Sequence, residues 1–343
     1  MRVAQLTQQR VFRITEEVLP DPGPGEVQVR VGAVGLCGSD LHSFAEGAVG
    51  DTPCVYPMVL GHEPAGEVVK CGPGVSGWNP GSRAAFEPAI YCYHCEFCIS
   101  GRHNVCAHMR FMSLPGEPGF FRDYANIPAR NLLAIPQGMS FLEATLIEPL
   151  AVVLHSMKFV ALKPGETVLV LGAGPIGWLT VAVLKLSGAG RVWVVEPVAH
   201  RRELARAAGA DVVLDPAAVD PARQVLADTG QRGVDVAVDC AAKGGSINQA
   251  IHAVRSAGRV VITGIPSEVQ VPLDFHPLRR KEVAIYPVRR SNHDSELALE
   301  TLAANLRRFA PLLTRSRPLD EVGAAFEQLE RYEDGVGKIA ITL

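Results

Sequence analysis

Four apolar residues at 168–171 run straight into Gly172-Ala173-Gly174-Pro175-Ile176-Gly177, and an apolar helical pattern follows to Leu186. A strand that turns through G-x-G-x-x-G and opens a helix leaves few folds available. Gly172 permits the tight turn, Gly174 lets backbone approach a pyrophosphate, and Gly177 lets helix and strand pack closely. The helix N-terminus then favours negative charge. The same alternation continues downstream. Strand patterns at 191–195, 212–214, 234–238 and 259–263 are interspersed with helical patterns at 201–208 and 247–254. Apolar strands alternating with helices predict a doubly wound parallel sheet, an α/β domain covered on both faces. Glu196 closes the second strand 19 residues past Gly177. A carboxylate there bonds the ribose hydroxyls of NAD and repels the extra phosphate of NADP. NAD is the expected cofactor, with Arg201 and Arg202 as the nearby positive charges that argue for NADP.

The first 150 residues have another character. Residues 26–34 read E-V-Q-V-R-V-G-A-V, a period-two strand, and the pattern resumes at 66–69. Turn residues recur at 20–24, 72–74 and 79–81, which predicts a compact antiparallel barrel or sandwich. The tail carries helical patterns at 295–309 and 322–332 and a strand at 338–342. The charged run 279–282 reads as a solvated loop. A chain of 343 residues accommodates two domains of about 150.

Lys and Arg total 33 against 36 Asp and Glu, a net charge of −3 that argues against a nucleic-acid surface. No apolar run approaches the roughly 18–20 residues of a membrane helix. The polar residues 1–12 lack a secretory signal, so a cytoplasmic protein is expected. Its eight cysteines are then metal ligands or buried thiols rather than disulfides.

Four of them form Cys92-x2-Cys95-x2-Cys98-x7-Cys106. Thiolates at this spacing suit one closed, tetrahedral structural zinc, with an iron–sulfur cluster as the competing reading. A second set is dispersed. Cys37, Ser39 and His42 share one turn, His62 and Glu63 are adjacent, and Glu148 lies in I-E-P-L. Thiolate, imidazole and carboxylate suit a zinc ion that keeps a position open for water or substrate.

Taken in order, G-L-C-G-S-D-L-H at 35–42, G-H-E-P-A-G at 61–66, the Cys92–Cys106 lobe, I-E-P-L at 147–150 and V-L-G-A-G-P-I-G at 170–177 resemble the zinc-containing medium-chain dehydrogenases. The chain looks most like the branch of sorbitol (polyol) and threonine dehydrogenases, and residues 97–111 look particularly like sorbitol dehydrogenases. The resemblance covers essentially the whole chain. It implies a GroES-like, mainly β catalytic domain (1–153 with 288–343), a Rossmann domain (154–287) and an active cleft between them. It also implies two zinc ions per chain and a homo-oligomer, dimer or tetramer. Cys37 and His62 would ligate the catalytic zinc, with Glu63 and Glu148 as alternative third ligands; Glu148 stands where ethanol-type relatives carry Cys. Ser39 and His42 would relay the proton, as would Glu148 with a water. Ile176, Glu196, Arg201, Gly264, Ile265 and Val288 match cofactor contacts, and Arg289 and Arg290 would meet substrate. Two positions depart from the sorbitol pattern, Ser43 and Arg290, each replacing Tyr. The implied reaction is NAD-linked oxidation of a secondary alcohol, with threonine or another alcohol as alternative substrate. The non-catalytic alternative is a nucleotide-sensing binding protein; a zinc-free quinone reductase would lack Cys37, His62 and the four-cysteine lobe.

Overall fold

The computed structural model describes residues 1–343, which divide into two compact units: 1–149 with 292–343, and 150–291. In the first unit the alternating strand Glu26–Gly35 is the organising element. Val27, Val29, Val31 and Val34 are fully buried, so one face of the strand is committed to the core. It pairs antiparallel with Glu63–Cys71, Tyr124–Pro128 and Lys338–Thr342. Leu132–Ala134 and Arg83–Phe86 extend the sheet on one side and Leu313–Pro318 on the other. Phe44, Phe121 and Phe326 close the core, with Phe44 and Phe326 centroids 5.1 Å apart. That contact seats the helix Gly38–Glu46 against the helix Val322–Arg331.

The second unit is a six-stranded sheet, parallel throughout. Its spatial order is Val212–Leu214, Val192–Val195, Val168–Leu171, Val234–Asp239, Val254–Ile262, Ala284–Pro287. The order reverses direction beside Val168–Leu171, where α/β sheets bind ligands at the carboxyl ends of their strands.

Two expectations are corrected. The run 279–282 is not a solvated loop. Arg279, Arg280 and Lys281 end the helix Phe275–Lys281, and Lys281 Nζ donates to the carbonyls of Ile251 (3.2 Å), His252 (2.7 Å) and Val254 (2.9 Å). A cation there satisfies carbonyls that the helix Ser246–Ala253 leaves open. The helical pattern at 295–309 is not continuous either. It breaks at Asn305, whose side-chain amide turns back to the Thr301 carbonyl at 2.9 Å, giving Ser295–Ala304 and Leu306–Phe309.

One buried knot ties the second unit together. Asp235 accepts from the backbone and hydroxyl of Thr167 (2.9 and 2.8 Å), from Arg232 at 2.6 Å and from Arg255 at 2.8 Å. Burial opposes ionisation of this carboxyl, yet Arg232, Thr167 and Arg255 outweigh it and hold its pKa far below the carboxylate range. Its stabilisation is therefore complete above about pH 4 and lost as pH falls toward the folded value. Asp235→Ala is expected to cost about 3 kcal/mol. Urea unfolding at pH 7 measures the loss, and the variant should show a flatter acid limb than the parent between roughly pH 4 and pH 2.

Candidate metal centre and cofactor turn

Cys37 is the N-cap of the helix Gly38–Glu46, immediately beyond the end of the central strand. Glu63 begins the neighbouring strand, in register opposite Gly35, and His62 lies one residue before it. These positions bring a sulfur, a ring nitrogen and a carboxylate oxygen of Cys37, His62 and Glu63 within 4.8 Å of one another. Glu148 is not in that set; it lies half-buried in the first turn of the helix Ile147–Val160. Ser39, one residue into the helix, donates to Cys37 Sγ at 3.4 Å and lies 3.5 Å from His62 Nε2. His42, on the same helix, has Nδ1 3.0 Å from Glu46.

His62 Nδ1 sits 3.1 Å from Asp40 Oδ1, which leaves Nε2 as the metal-facing nitrogen in the way second-shell carboxylates orient ligating imidazoles. The imidazole is held well above its ordinary pKa. Burial works against the charge, but Asp40 and Cys37 outweigh it. A divalent cation on Nε2 would occupy the place this environment otherwise gives to a proton.

Glu63 raises the harder electrostatic question, since it is 1% exposed. Lys338, also 1% exposed, answers it with Nζ 2.5 Å from Glu63 Oε2 and 3.1 Å from the Leu36 carbonyl. Gly35 makes this possible. A Cβ there would stand 2.1 Å from Glu63 Oε2 and 2.9 Å from Lys338 Cε. Lys338 was not singled out from sequence, because nothing near it in the chain marks it as a counter-ion.

The four cysteines of the lobe also converge within 4.8 Å. Cys92 and Cys98 sulfurs are 3.9 Å apart, Cys95 and Cys106 3.9 Å, and Cys106 and Cys92 3.5 Å. A tetrahedral ion with bonds near 2.3 Å requires separations of about 3.8 Å. A cluster spreads its cysteines over separate irons and holds them farther apart, so the spacing favours a single ion. Backbone N–H groups of Cys98 and Ala107 draw the Cys95 thiol down to about 6, whereas burial pushes Cys98 up to about 12. A thiol so disfavoured as an anion becomes a thiolate only beside a cation.

In the second unit, a Cβ on Gly177 would approach the Gly172 carbonyl to 1.9 Å, so only glycine allows this packing of helix on turn. Glu196 accepts from Ala173 N–H at 2.7 Å and Val198 N–H at 2.9 Å, which fixes its carboxylate beside the Gly172–Gly177 turn. Ile176 is in the first turn of the helix, and the Arg201 guanidinium stands 3.8 Å from where a Cβ of Gly174 would be. Arg202 is engaged with Asp215 at 3.0 Å and the carbonyls of Glu196 and Pro197. Gly264 N–H donates to Asp239 O, and Val288 N–H to Ile262 O. Gly264, Ile265, Val288, Arg289 and Arg290 thus follow the carboxyl ends of the last two strands.

Residues 23–137 match the alcohol dehydrogenase GroES-like domain family, and residues 175–304 the zinc-binding dehydrogenase family. The chain is 33% identical to the sorbitol dehydrogenase of Bacillus subtilis over 341 residues, covering 99% of this chain and 97% of that one. It is 38% identical over 268 residues to the L-threonine 3-dehydrogenase of Pyrococcus horikoshii, covering 77% and 75%. Among solved structures, an Escherichia coli oxidoreductase of unknown specificity superposes with a TM-score of 0.92 at 30% identity over 99% of this chain and 98% of that one.

Lys338→Met leaves Glu63 buried without its counter-charge and is expected to cost about 3–5 kcal/mol. Urea unfolding with zinc removed by chelation measures it. Adding Glu63→Gln to Lys338→Met should recover a large part of the loss, and a double variant no better than the single one would contradict the pairing.

Proposed function

Because the chain belongs to the zinc-binding medium-chain dehydrogenases, in the branch of the sorbitol and threonine dehydrogenases, and is an alcohol or polyol dehydrogenase, we propose that it oxidises a secondary hydroxyl of a polyol to a ketone with NAD as acceptor. The observation that carries this reading is the mixed donor set Cys37, His62 and Glu63, with the Ser39 hydroxyl within hydrogen-bond reach of two of its atoms. Zinc held by Cys37, His62 and Glu63 would supply Lewis-acid stabilisation of an alkoxide, and a nicotinamide cofactor held at the Gly172–Gly177 turn would supply the hydride acceptor. A second zinc is assigned to Cys92, Cys95, Cys98 and Cys106, where four sulfurs leave no open position.

Each residue then has a role set by its placement. Cys37, His62 and Glu63 hold the catalytic ion, and Lys338 balances the charge Glu63 brings into the interior. Ser39 accepts the hydroxyl proton and His42 passes it outward. The Glu46 contact holds the His42 ring at Nδ1 and leaves Nε2 for exchange. Glu148 is assigned to an active-site water rather than to the ion. Glu196, fixed by two backbone N–H groups, receives the adenosine ribose and excludes a 2′-phosphate. Gly172, Gly174, Ile176 and Gly177 receive the pyrophosphate at the helix start, and Arg201, Gly264, Ile265 and Val288 complete the cofactor site. Arg289 and Arg290 supply polar contacts that a many-hydroxyl substrate needs and a simple alcohol does not.

A homo-oligomer is part of this reading. Ala284–Pro287 is an edge strand with one neighbour, and Val269 (76% exposed) and Phe275 (61%) stand out in the same unit. An open edge, in a unit that also exposes apolar side chains, fits pairing with a second copy. Light scattering should give twice or four times the 36.7 kDa chain mass; a monomer at micromolar concentration would exclude it.

Initial rates over a panel of polyols, amino alcohols and simple alcohols, each with NAD and with NADP, test the substrate and cofactor together. Polyols with NAD should give the highest kcat/KM; preference for threonine or for ethanol would overturn the polyol assignment. Glu148→Gln should lower kcat about 100-fold while the protein keeps its full zinc complement. Loss of one zinc per chain in that variant would instead make Glu148 a ligand.

A further inference from the structure

We propose that Ser113 is a positioning residue for the imidazole ligand, holding His62 through Asp40 and tying it to the four-cysteine lobe. This inference rests on the assignment of Cys37 and His62 to a metal. Asp40 is 2% exposed, and all its hydrogen bonds converge on one oxygen. Oδ1 accepts from Ser113 Oγ at 2.7 Å, from His62 Nδ1 at 3.1 Å and from Gly61 N–H at 3.4 Å, while Oδ2 is buried without a partner. The shortest of these bonds comes from Ser113, so the direction in which Asp40 presents Oδ1 to the imidazole depends on that hydroxyl.

Ser113 occupies an unusual place for its type. It is 3% exposed and has φ +92°, in the left-handed region that glycine adopts at least cost. A side chain retained at such a backbone angle, and spent on a buried carboxylate, is one whose hydroxyl is in use. The loop carrying it is anchored at the base of the lobe. Phe111 pairs in register with Ala89, and Met112 N–H donates to the Pro88 carbonyl at 3.0 Å. Phe111 is buried in one cluster with Tyr91, Cys98 and Cys106, and its ring lies 5.4 Å from that of His62. Residues 111–113 therefore touch the lobe with one side chain and the imidazole with two: Phe111 as a tilted ring beside it, Ser113 through Asp40. An ordered lobe fixes the loop, and the loop fixes the angle at which His62 offers Nε2.

The test uses Ser113→Gly, which removes the hydroxyl and relieves the backbone, and Ser113→Ala, which removes the hydroxyl alone. Zinc release to a chromogenic chelator is followed for both ions of each protein. Loss of a carboxylate–histidine–metal support typically weakens metal binding 10- to 100-fold. Release from the Cys37–His62 site should accordingly be about tenfold faster in both variants, with release from the four-cysteine site unchanged. After cobalt substitution at the Cys37–His62 site, the visible absorption bands should shift in both. A merely structural role for Ser113 predicts the opposite for Ser113→Gly: equal or higher melting temperature, parental release rate and parental cobalt spectrum. That result would overturn the inference and leave the zinc reading standing. Absence of any ion at Cys37 and His62 in the parent protein would overturn both.

Discussion

A carboxylate stays ionised in a protein interior only where a counter-charge or hydrogen-bond donors face it, and the first unit is arranged to give Glu63 such a counter-charge. Glu63 brings a carboxylate oxygen within 4.8 Å of the donor atoms of Cys37 and His62, and it is buried as completely as the core valines of the central strand. Its answer, Lys338, comes from the other end of the chain. The register Ala340 opposite Gly35 and Glu63 opposite Gly35 brings both residues to the same point of the central strand. The missing Cβ of Gly35 is the space the pair occupies. The closing strand Lys338–Thr342 therefore does more than complete a sheet. Without it the interior would hold the Glu63 carboxylate with no counter-charge.

The second unit solves a different problem with backbone alone. A pyrophosphate needs several N–H groups and no intruding side chain. Glycines at 172, 174 and 177 clear the approach, and the helix Pro175–Leu186 supplies the favourable end of its dipole. The Glu196 carboxylate stands beside this turn, held by the Ala173 and Val198 N–H groups, and a carboxylate already held in place loses little freedom on meeting a ligand.

Local features were the legible ones. The glycine turn, the parallel-strand pattern and the four-cysteine spacing each lie within one short stretch, and the structure has the strands at 168–171 and 212–214 where apolar runs predicted them. The donors Cys37, His62 and Glu63 were legible as types, and their convergence needed the fold. Lys338 was invisible because a lysine in G-K-I-A-I-T reads as a solvated strand residue until its register against Gly35 is known. Ser113 was invisible for a related reason: its partner is 73 residues away and its backbone angle leaves no trace in the sequence. The run 279–282 was misread because surface charge is the commoner fate of such residues, and only the nearby carbonyl ends of Ser246–Ala253 make Lys281 a cap. What failed to show in the sequence is long-range polar pairing, which periodicity does not record.

The two cysteine-bearing sites differ in what they can do, and the difference follows from donor chemistry. Four sulfurs at about 3.8 Å from one another enclose an ion on all sides, so an ion there has no face left for a substrate oxygen. Sulfur, nitrogen and oxygen from Cys37, His62 and Glu63 leave a fourth direction open. Ser39, 3.4 Å from Cys37 Sγ and 3.5 Å from His62 Nε2, is a neutral group able both to give and to take a proton. The hard carboxylate, ion-paired to Lys338, keeps this donor set more polar than the four-cysteine one.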